Sequence, residues 1–361
     1  MNALGRALAA RIRATGPLSL ADYMAEALTH STLGYYRRGD PLGAAGDFIT
    51  APEISQMFGE LIGLWLVDAW ERLRRPDPVL MVELGPGRGT LMADALRAAR
   101  VRPEFGSAVR LHLVESSPGL RARQAAALAE ERPRWHDGFE TVPEGPLLLV
   151  ANEFFDALPI RQFQRTQAGW CERMVGFEEA GERFGWVLAP ASAAAETLLA
   201  PEQLGAPIGA IVEVSPAAQG LAAAIGARLA AAPGAALIID YGHDRSGPGD
   251  TLQAVRRHAS AEPLDDLGEV DLTAHVDFAA IVRAARDAGA EAHGPVAQGA
   301  FLSRLGIHAR AARLLAHATP DQATQLRSGL HRLIDDAEMG RLFRVMGLTS
   351  PGFGPLAGFD Q

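Results

Sequence analysis

An α/β fold, with an open, mostly parallel sheet carrying helices on both faces, is predicted by three observations. Apolar runs at residues 79–84, 147–151 and 235–239 are continuous rather than alternating, as strands buried on both faces require. The first run leads into Gly85-Pro86-Gly87-Arg88-Gly89, and residues 91–101 then have the Ala/Leu/Arg content of a helix, which makes a strand, a tight turn and a helix start. A further strand-like run, Val109 to Val114, closes on Glu115. Strands alternating with helical stretches imply crossover connections and hence parallel pairing.

Taken in order, the chain begins with Leu4, Leu8 and Ile12 on one side of a basic amphipathic helix that Gly16-Pro17 ends. The same acid-free, Arg- and Ala-rich stretch also reads as an organellar transit peptide. Ser19 is the N-cap expected for a second helix through Tyr23, Met24 and Leu28. Residues 34–43 form a long glycine-rich loop, and Phe58, Leu61, Ile62, Trp65, Leu66 and Ala69 then recur at helical spacing. After Glu115 come a helix over 118–130 and a short strand ending near Trp135-His136-Asp137-Gly138. Three short alternating runs between 161 and 188, separated by glycine-containing turns, read as a β-meander.

Residues 189–207 are expected to be a linker with one helical turn. The strand 211–214 and helix 216–231 are expected to resume the α/β alternation, with an edge strand over 251–255. A helix capped by Thr273 or Asp277 follows, then a largely helical tail from Gln298 and a final strand or helix around Phe343. The organisation expected is a helical N-terminal cap and loop (1–75), a ligand-binding core (76–160), an inserted β-rich segment (161–210) and the rest of the α/β core with a helical lobe (211–361).

Composition excludes several classes. A content of 48% hydrophobic against 21% charged residues fits a large packed core, and a net charge of −9 argues against nonspecific binding to nucleic acid or anionic membranes. No apolar run approaches the length of a membrane span, and no secretory signal is evident. The single cysteine, Cys171, forbids an intramolecular disulfide and has no histidine near it in sequence. The 10 histidines are scattered without metal-ligand spacing, so no metal is expected. Lysine is absent throughout, which rules out a P-loop and a lysine Schiff base.

The glycine turn is the first candidate site. Glycines at 85, 87 and 89 remove the Cβ atoms that would hold a ligand away, and the helix beginning there offers unpaired N–H groups. A dinucleotide fingerprint would place its third small residue at position 90, where Thr90 stands. The pattern is instead Glu83-x-Gly85-x-Gly87-x-Gly89. Glu115 at the next strand end has a carboxylate able to accept two hydrogen bonds from a diol. The bland alternative is a glycine-rich turn with a solvated Glu after it.

This pattern resembles motif I of the class I S-adenosylmethionine (SAM) methyltransferases. The resemblance implies that Glu83, Gly85, Gly87 and Gly89 lie at the methionine end of SAM and that Glu115 holds the ribose hydroxyls. It further implies that a carboxylate near the third strand end, Asp137, meets the adenine amino group, although a turn aspartate explains Asp137 equally well. Four stretches in register narrow the likeness: Leu28 to Tyr36, Gly46 to Gln56, Val82 to Leu91 and Ala151 to Pro159. With Gly268 to Asp277 and Gln298 to Leu302, they resemble the MidA family from about Leu18 to the end.

That resemblance implies a Rossmann-like class I SAM-methyltransferase sheet with a helical N-terminal cap and an inserted α+β substrate lobe. Mitochondrial members of the family are protein arginine methyltransferases needed to assemble respiratory complex I. The implied partner is thus an arginine-containing protein, with a complex I subunit as the candidate, in the mitochondrial matrix of a eukaryote or the cytoplasm of a bacterium. Asn152-Glu153-Phe154-Phe155-Asp156 follows the central strand, and residues there face the transferred methyl group in class I enzymes. Glu153 and Asp156 supply carboxylates suited to a guanidinium, with Asn152 beside them. A satisfied turn with Phe154 and Phe155 as core anchors is the competing account, as it is for Asp240, His243 and His275. A small-molecule methyltransferase and a non-catalytic SAM-binding assembly factor are the alternative functions.

Overall fold

The computed structural model describes residues 1–37, 50–256 and 259–359. The chain divides into two compact units, and it passes between them several times. One comprises Ile49–Phe154, Leu221–Gly242 and Val282–Gln361; the other comprises Met1–Phe48, Phe155–Gly220 and His243–Ile281. The loop expected over 34–43 and the motif Gly46 to Gln56 lie partly outside the described residues.

The first of these units is built on a sheet whose strands run in the order Glu291–Ala297, Phe343–Thr349, Gly234–His243, Leu147–Asn152, Val79–Leu84, Val109–Val114 and Arg134–His136. From Gly234–His243 to Arg134–His136 all neighbours pair in parallel. The central strands Val79–Leu84 and Leu147–Asn152 are buried at every position, which is why they read as unbroken apolar runs. They are adjacent in the sheet although two strands separate them in sequence, so the strand order reverses between them. In open α/β sheets ligands bind at the carboxyl ends of the strands flanking such a reversal.

The segment around Phe343 is a strand, antiparallel to Gly234–His243. A further antiparallel strand, Glu291–Ala297, was not foreseen. Gly294-Pro295 interrupts its pattern, and proline is tolerated only at a sheet edge or irregularity, where the structure places it with a register shift between His293 and Val296.

Against one face of this unit packs the helix Gln56–Arg72, with Phe58, Leu61, Ile62, Trp65, Leu66 and Ala69 all buried as their spacing predicts. Ser55 caps it by accepting the N–H of Met57. Its partner is the helix Thr90–Ala99 that follows the glycine turn. The two helices meet across Gly59 and Gly63. A Cβ on Gly63 would lie 2.3 Å from the Ala95 carbonyl oxygen and 2.6 Å from its Cα, and one on Gly59 would lie 2.7 Å from Asp94 Cβ. Beside this contact the buried Glu60 accepts from Arg310 at 2.6 and 2.8 Å and from Arg97 at 2.8 Å, and these guanidinium contacts hold its carboxyl below the usual range against the opposing effect of burial.

The second unit holds the predicted helices Ala3–Thr15 and Leu20–Thr29, the latter capped by Ser19, whose Oγ accepts the Asp22 N–H. Leu4, Leu8, Ile12, Tyr23, Met24 and Leu28 share one apolar core. The meander is Arg161–Thr166, Gly169–Glu178 and Arg183–Pro190. Three expectations are corrected here. The strand Ile211–Val214 does not resume the parallel alternation; it pairs antiparallel with Arg161–Thr166 and completes the meander sheet. Strand Gln253–Arg256 is the middle strand of a three-stranded sheet, not an edge, between Ala259–Ala261 and Asp271–Thr273. The 189–207 stretch carries two short helices, Ala193–Glu196 and Pro201–Leu204, where one turn was expected. Of the two candidate caps for Phe278–Asp287, Asp277 serves, accepting the Ala280 N–H at 3.0 Å.

Replacing Gly63 by Ala separates propensity from packing. Alanine gains about 1 kcal/mol of helix propensity over glycine, whereas forcing a methyl group against helix backbone costs about 1–3 kcal/mol. The Ala95 backbone cannot move as a flexible side chain would, so the urea midpoint is expected to fall. A raised midpoint would show that the helices do not approach this closely.

Candidate functional site

At the carboxyl end of Val79–Leu84 the chain turns through three glycines, all in the left-handed region: Gly85 at φ 63°, Gly87 at 54° and Gly89 at 84°. A side chain at these positions would be strained. At Gly85 it would also collide, because a Cβ there would lie 2.6 Å from Phe154 Cδ2. Backbone bonds lock the turn: Gly85 N–H donates to the Val114 carbonyl at 3.1 Å, and Gly89 N–H to the Pro86 carbonyl at 2.7 Å. Helix Thr90–Ala99 therefore starts from a left-handed glycine with no side-chain cap, leaving its first N–H groups to other partners. Thr90 Oγ1 donates to Glu53, whose carboxylate also lies 3.7 Å from the Arg88 guanidinium.

Two acidic residues flank the turn. Glu83 is buried on the central strand, and among the described residues nothing donates to its Oε2. Burial, reinforced by the Glu115 charge, pushes its carboxyl up to about 8. Glu115 is also buried and is also raised by burial, but donors oppose that effect: Ser117 N–H at 2.7 Å, then the Gln124 amide at 3.3 Å, then the charge of Arg121. Its own N–H donates to the His136 carbonyl, and its carbonyl accepts Arg121 Nε at 2.6 Å. Arg121 reaches on to Asp137, 2.6 Å away, whose side chain is 85% exposed. An exposed ion pair of this kind is worth at most about 1 kcal/mol, so Asp137 can exchange partners readily.

At the end of the neighbouring strand, Glu153 adopts φ 51°, uncommon for a residue with a side chain. Its N–H donates to the Ile239 carbonyl at 2.9 Å, extending the parallel ladder, and its Oε1 accepts from Ala51 N–H at 2.9 Å and Asn152 Nδ2 at 3.0 Å. Left-handed strain of order 1 kcal/mol persists only where surroundings impose it, and such residues concentrate at functional sites. Asp240 is fully buried and lies within the strand Gly234–His243, not in a turn after it as the conservative reading had it; it accepts the Phe154 and Tyr241 N–H groups at 3.1 and 2.9 Å.

Glu83, Gly85, Gly87, Gly89, Glu115, Asp137, Asn152 and Glu153 thus all belong to one unit. Asp156 belongs to the other; it is buried there and its carbonyl accepts the Ala274 N–H at 3.0 Å. Sequence reading missed Gln124, Trp135, Phe154 as the ring against Gly85, and Glu53. Gln124 and Trp135 occupy a helix and a short strand without motif character, and only their contacts give them away. Among the described residues no cluster of three or more His, Cys, Asp or Glu side chains is arranged to hold a metal ion.

The residues fit SAM. The turn offers backbone close enough to touch, an uncapped helix start offers donors, Glu115 offers a buried carboxylate for a diol, and Glu83 offers a buried oxygen lacking any partner. Sheet order, glycine turn and the acid on the next strand define a class I SAM-dependent methyltransferase. Residues 61–296 match the family model described as "Putative S-adenosyl-L-methionine-dependent methyltransferase". The chain belongs to this family, the MidA-type methyltransferases indicated by its motifs.

The chain is 40% identical to the mouse mitochondrial protein arginine methyltransferase NDUFAF7 over 95% of its own length and 83% of that protein. It is 37% identical to the Drosophila melanogaster homologue, over 96% of this chain and 84% of the other. Among solved structures, a Burkholderia thailandensis protein bound to S-adenosyl-homocysteine superposes with a TM-score of 0.84 at 31% identity, covering 99% of this chain and 93% of that one.

Two outcomes follow from this geometry. Gly85→Val adds a β-branched side chain at positive φ against Phe154 and is expected to abolish SAM binding in calorimetry, while circular dichroism stays native; micromolar binding by a folded variant would refute the assignment of the turn. Glu83 gives a pH signature in the ligand-free protein. Its folded value of about 8 exceeds the ordinary 4.5, so between those limits the folded state holds a proton that the unfolded chain has lost, and stability falls as pH rises. The slope is at most about 1.4 kcal/mol per pH unit. Glu83→Gln cannot titrate, so its stability is expected to gain on the wild type from pH 5 to pH 8; urea midpoints that stay parallel over that range would count against a buried, protonated Glu83.

Proposed function

We propose that this protein transfers the methyl group of SAM to an arginine side chain of a protein substrate. The observation that carries the reading is Glu153: a carboxylate held in a strained backbone conformation at the carboxyl edge of the sheet, beside the cofactor turn, and oriented by Ala51 N–H and Asn152. It is supported by the mouse and Drosophila relatives, which are named protein arginine methyltransferases.

In this reading Gly85, Gly87, Gly89 and Glu83 receive the methionine end of SAM, Glu115 the ribose and Asp137 the adenine amino group. Bound SAM supplies a methyl group already activated by its sulfonium. Glu153 accepts two N–H bonds from the guanidinium, whose planar fork matches a carboxylate, and this fixes which nitrogen faces the methyl carbon. Asn152 holds Glu153 for that task. Positioning of this kind supplies much of the rate when the electrophile needs no further activation. As the N–C bond forms and the C–S bond breaks, the proton left on nitrogen passes to solvent, so no dedicated base is required. The reading rests on Glu153 rather than on Asp156. The family resemblance extends it to a respiratory complex I subunit as acceptor, in the mitochondrial matrix of a eukaryotic cell or the cytoplasm of a bacterial one.

Incubation with methyl-labelled SAM and extract from cells lacking the gene tests it. Label is expected on a protein and, after hydrolysis, in methylarginine. Label confined to small molecules would overturn the substrate class, and SAM binding without any transfer would overturn the enzyme. Glu153→Gln is expected to lower kcat by about 100-fold or more while the Kd for SAM stays within about threefold, because only the transfer geometry is lost.

A further inference from the structure

Gln124 is wholly buried in the helix Pro118–Ala127 and makes three side-chain hydrogen bonds. Its Nε2 donates to the Gly87 carbonyl at 2.8 Å and to Glu115 Oε2 at 3.3 Å, and its Oε1 accepts the Trp135 indole N–H at 2.8 Å. The indole can only donate. It therefore dictates the orientation of the amide, turning the oxygen toward Trp135 and the nitrogen toward two acceptors.

We propose that Gln124 is a positioning residue for SAM, with Trp135 setting its orientation so that one amide holds the glycine turn and the Glu115 carboxylate at a fixed separation. The inference rests on the SAM site given above. Its physical content is twofold. The turn and Glu115 follow different strands, and the amide joins a contact to each into one preorganised surface. In addition, its N–H favours the ionised form of Glu115 against the burial that raises that carboxyl, and so keeps the group able to accept hydrogen bonds.

Gln124→Met preserves length and flexibility but removes every hydrogen bond. Titration calorimetry with S-adenosyl-homocysteine is expected to show a Kd about tenfold higher at pH 8, in the range found when outer-shell partners of a binding site are removed. Losing the amide donor moves the Glu115 carboxyl further in the direction burial already takes it, so the weakening is expected to grow as pH falls; Glu83 and the Arg121 guanidinium, which also face Glu115, are common to both proteins and cancel in the comparison with the wild type. A purely structural glutamine would lower the melting temperature and weaken binding equally at every pH. Trp135→Phe is the second variant; it leaves Gln124 in place but removes the group that orients it, and a Kd raised about threefold is expected, with the same direction of pH dependence.

Binding within twofold of wild type from pH 6 to pH 8 by a folded Gln124→Met protein would overturn the inference. If Gln124→Met does not fold, unchanged binding by Trp135→Phe overturns it instead. Gly85→Val, measured alongside, keeps the two readings apart. Retained binding there removes the SAM site itself, whereas lost binding there with unchanged binding in both other variants removes only the role of Gln124.

Discussion

The constraint on which the rest of the catalytic unit depends is the left-handed turn at Gly85, Gly87 and Gly89. A strand buried on both faces ends abruptly there, and the chain must reverse into a helix whose own packing leaves no slack, since Gly63 sits against the Ala95 backbone of that helix. Phe154, from the far side of the strand reversal, fills the space where a Cβ of Gly85 would stand. The turn is thus fixed from below by the sheet, from behind by the helix pair and from the side by the next strand end. A cofactor surface made of backbone needs this over-determination, because it has no side chains with which to adapt.

The two acids beside the turn show how one sheet edge holds carboxylates in different states. Both are buried, and Glu115 sits close enough to Glu83 to disfavour a charge there. Two like charges in such a setting cannot both be ionised cheaply, and the outcome is decided by donors. Glu115 has a backbone N–H, an amide and a nearby guanidinium; Glu83 has an oxygen with none. The donors therefore favour the charge on Glu115 over a charge on Glu83. That partition belongs to this geometry and could not be inferred from the motif, where the two residues are simply acids thirty-two positions apart.

What was legible in the sequence was local. The strand Val79–Leu84, the turn and the helix after it, the helical spacing from Phe58 to Ala69, and the Ser19 cap each depend on neighbours a few residues away, and each reads correctly. Glu115 and Glu153 were singled out because strand ends are where such folds place chemistry, and Glu83 because it opens the glycine motif. Placement across the chain was not legible. A four-residue strand such as Ile211–Val214 is equally apolar in a parallel core or an antiparallel meander, and only its partner, Arg161–Thr166, distinguishes the two. The proline in Glu291–Ala297 hid a genuine edge strand for the same reason that it is tolerated there.

Gln124 marks the sharpest limit of sequence reading, because nothing about a glutamine in an Ala- and Arg-rich helix suggests a site. Its meaning comes from three elements converging on one amide: a turn carbonyl, a strand-end carboxylate and an indole that only donates. Replace the indole by a ring without N–H and the amide loses the contact that selects its orientation; replace the amide and the half-buried indole loses its acceptor. Each group therefore needs the other, and together they link the backbone surface of the turn to the buried acid at the end of the adjacent strand. Strain in the left-handed Glu153 is held in the same manner, by the Ile239 carbonyl below it and the Ala51 N–H and Asn152 amide around its carboxylate. In both places the polar groups of the site are fixed by buried hydrogen bonds before any ligand arrives, so the free energy of binding need not be spent on ordering them.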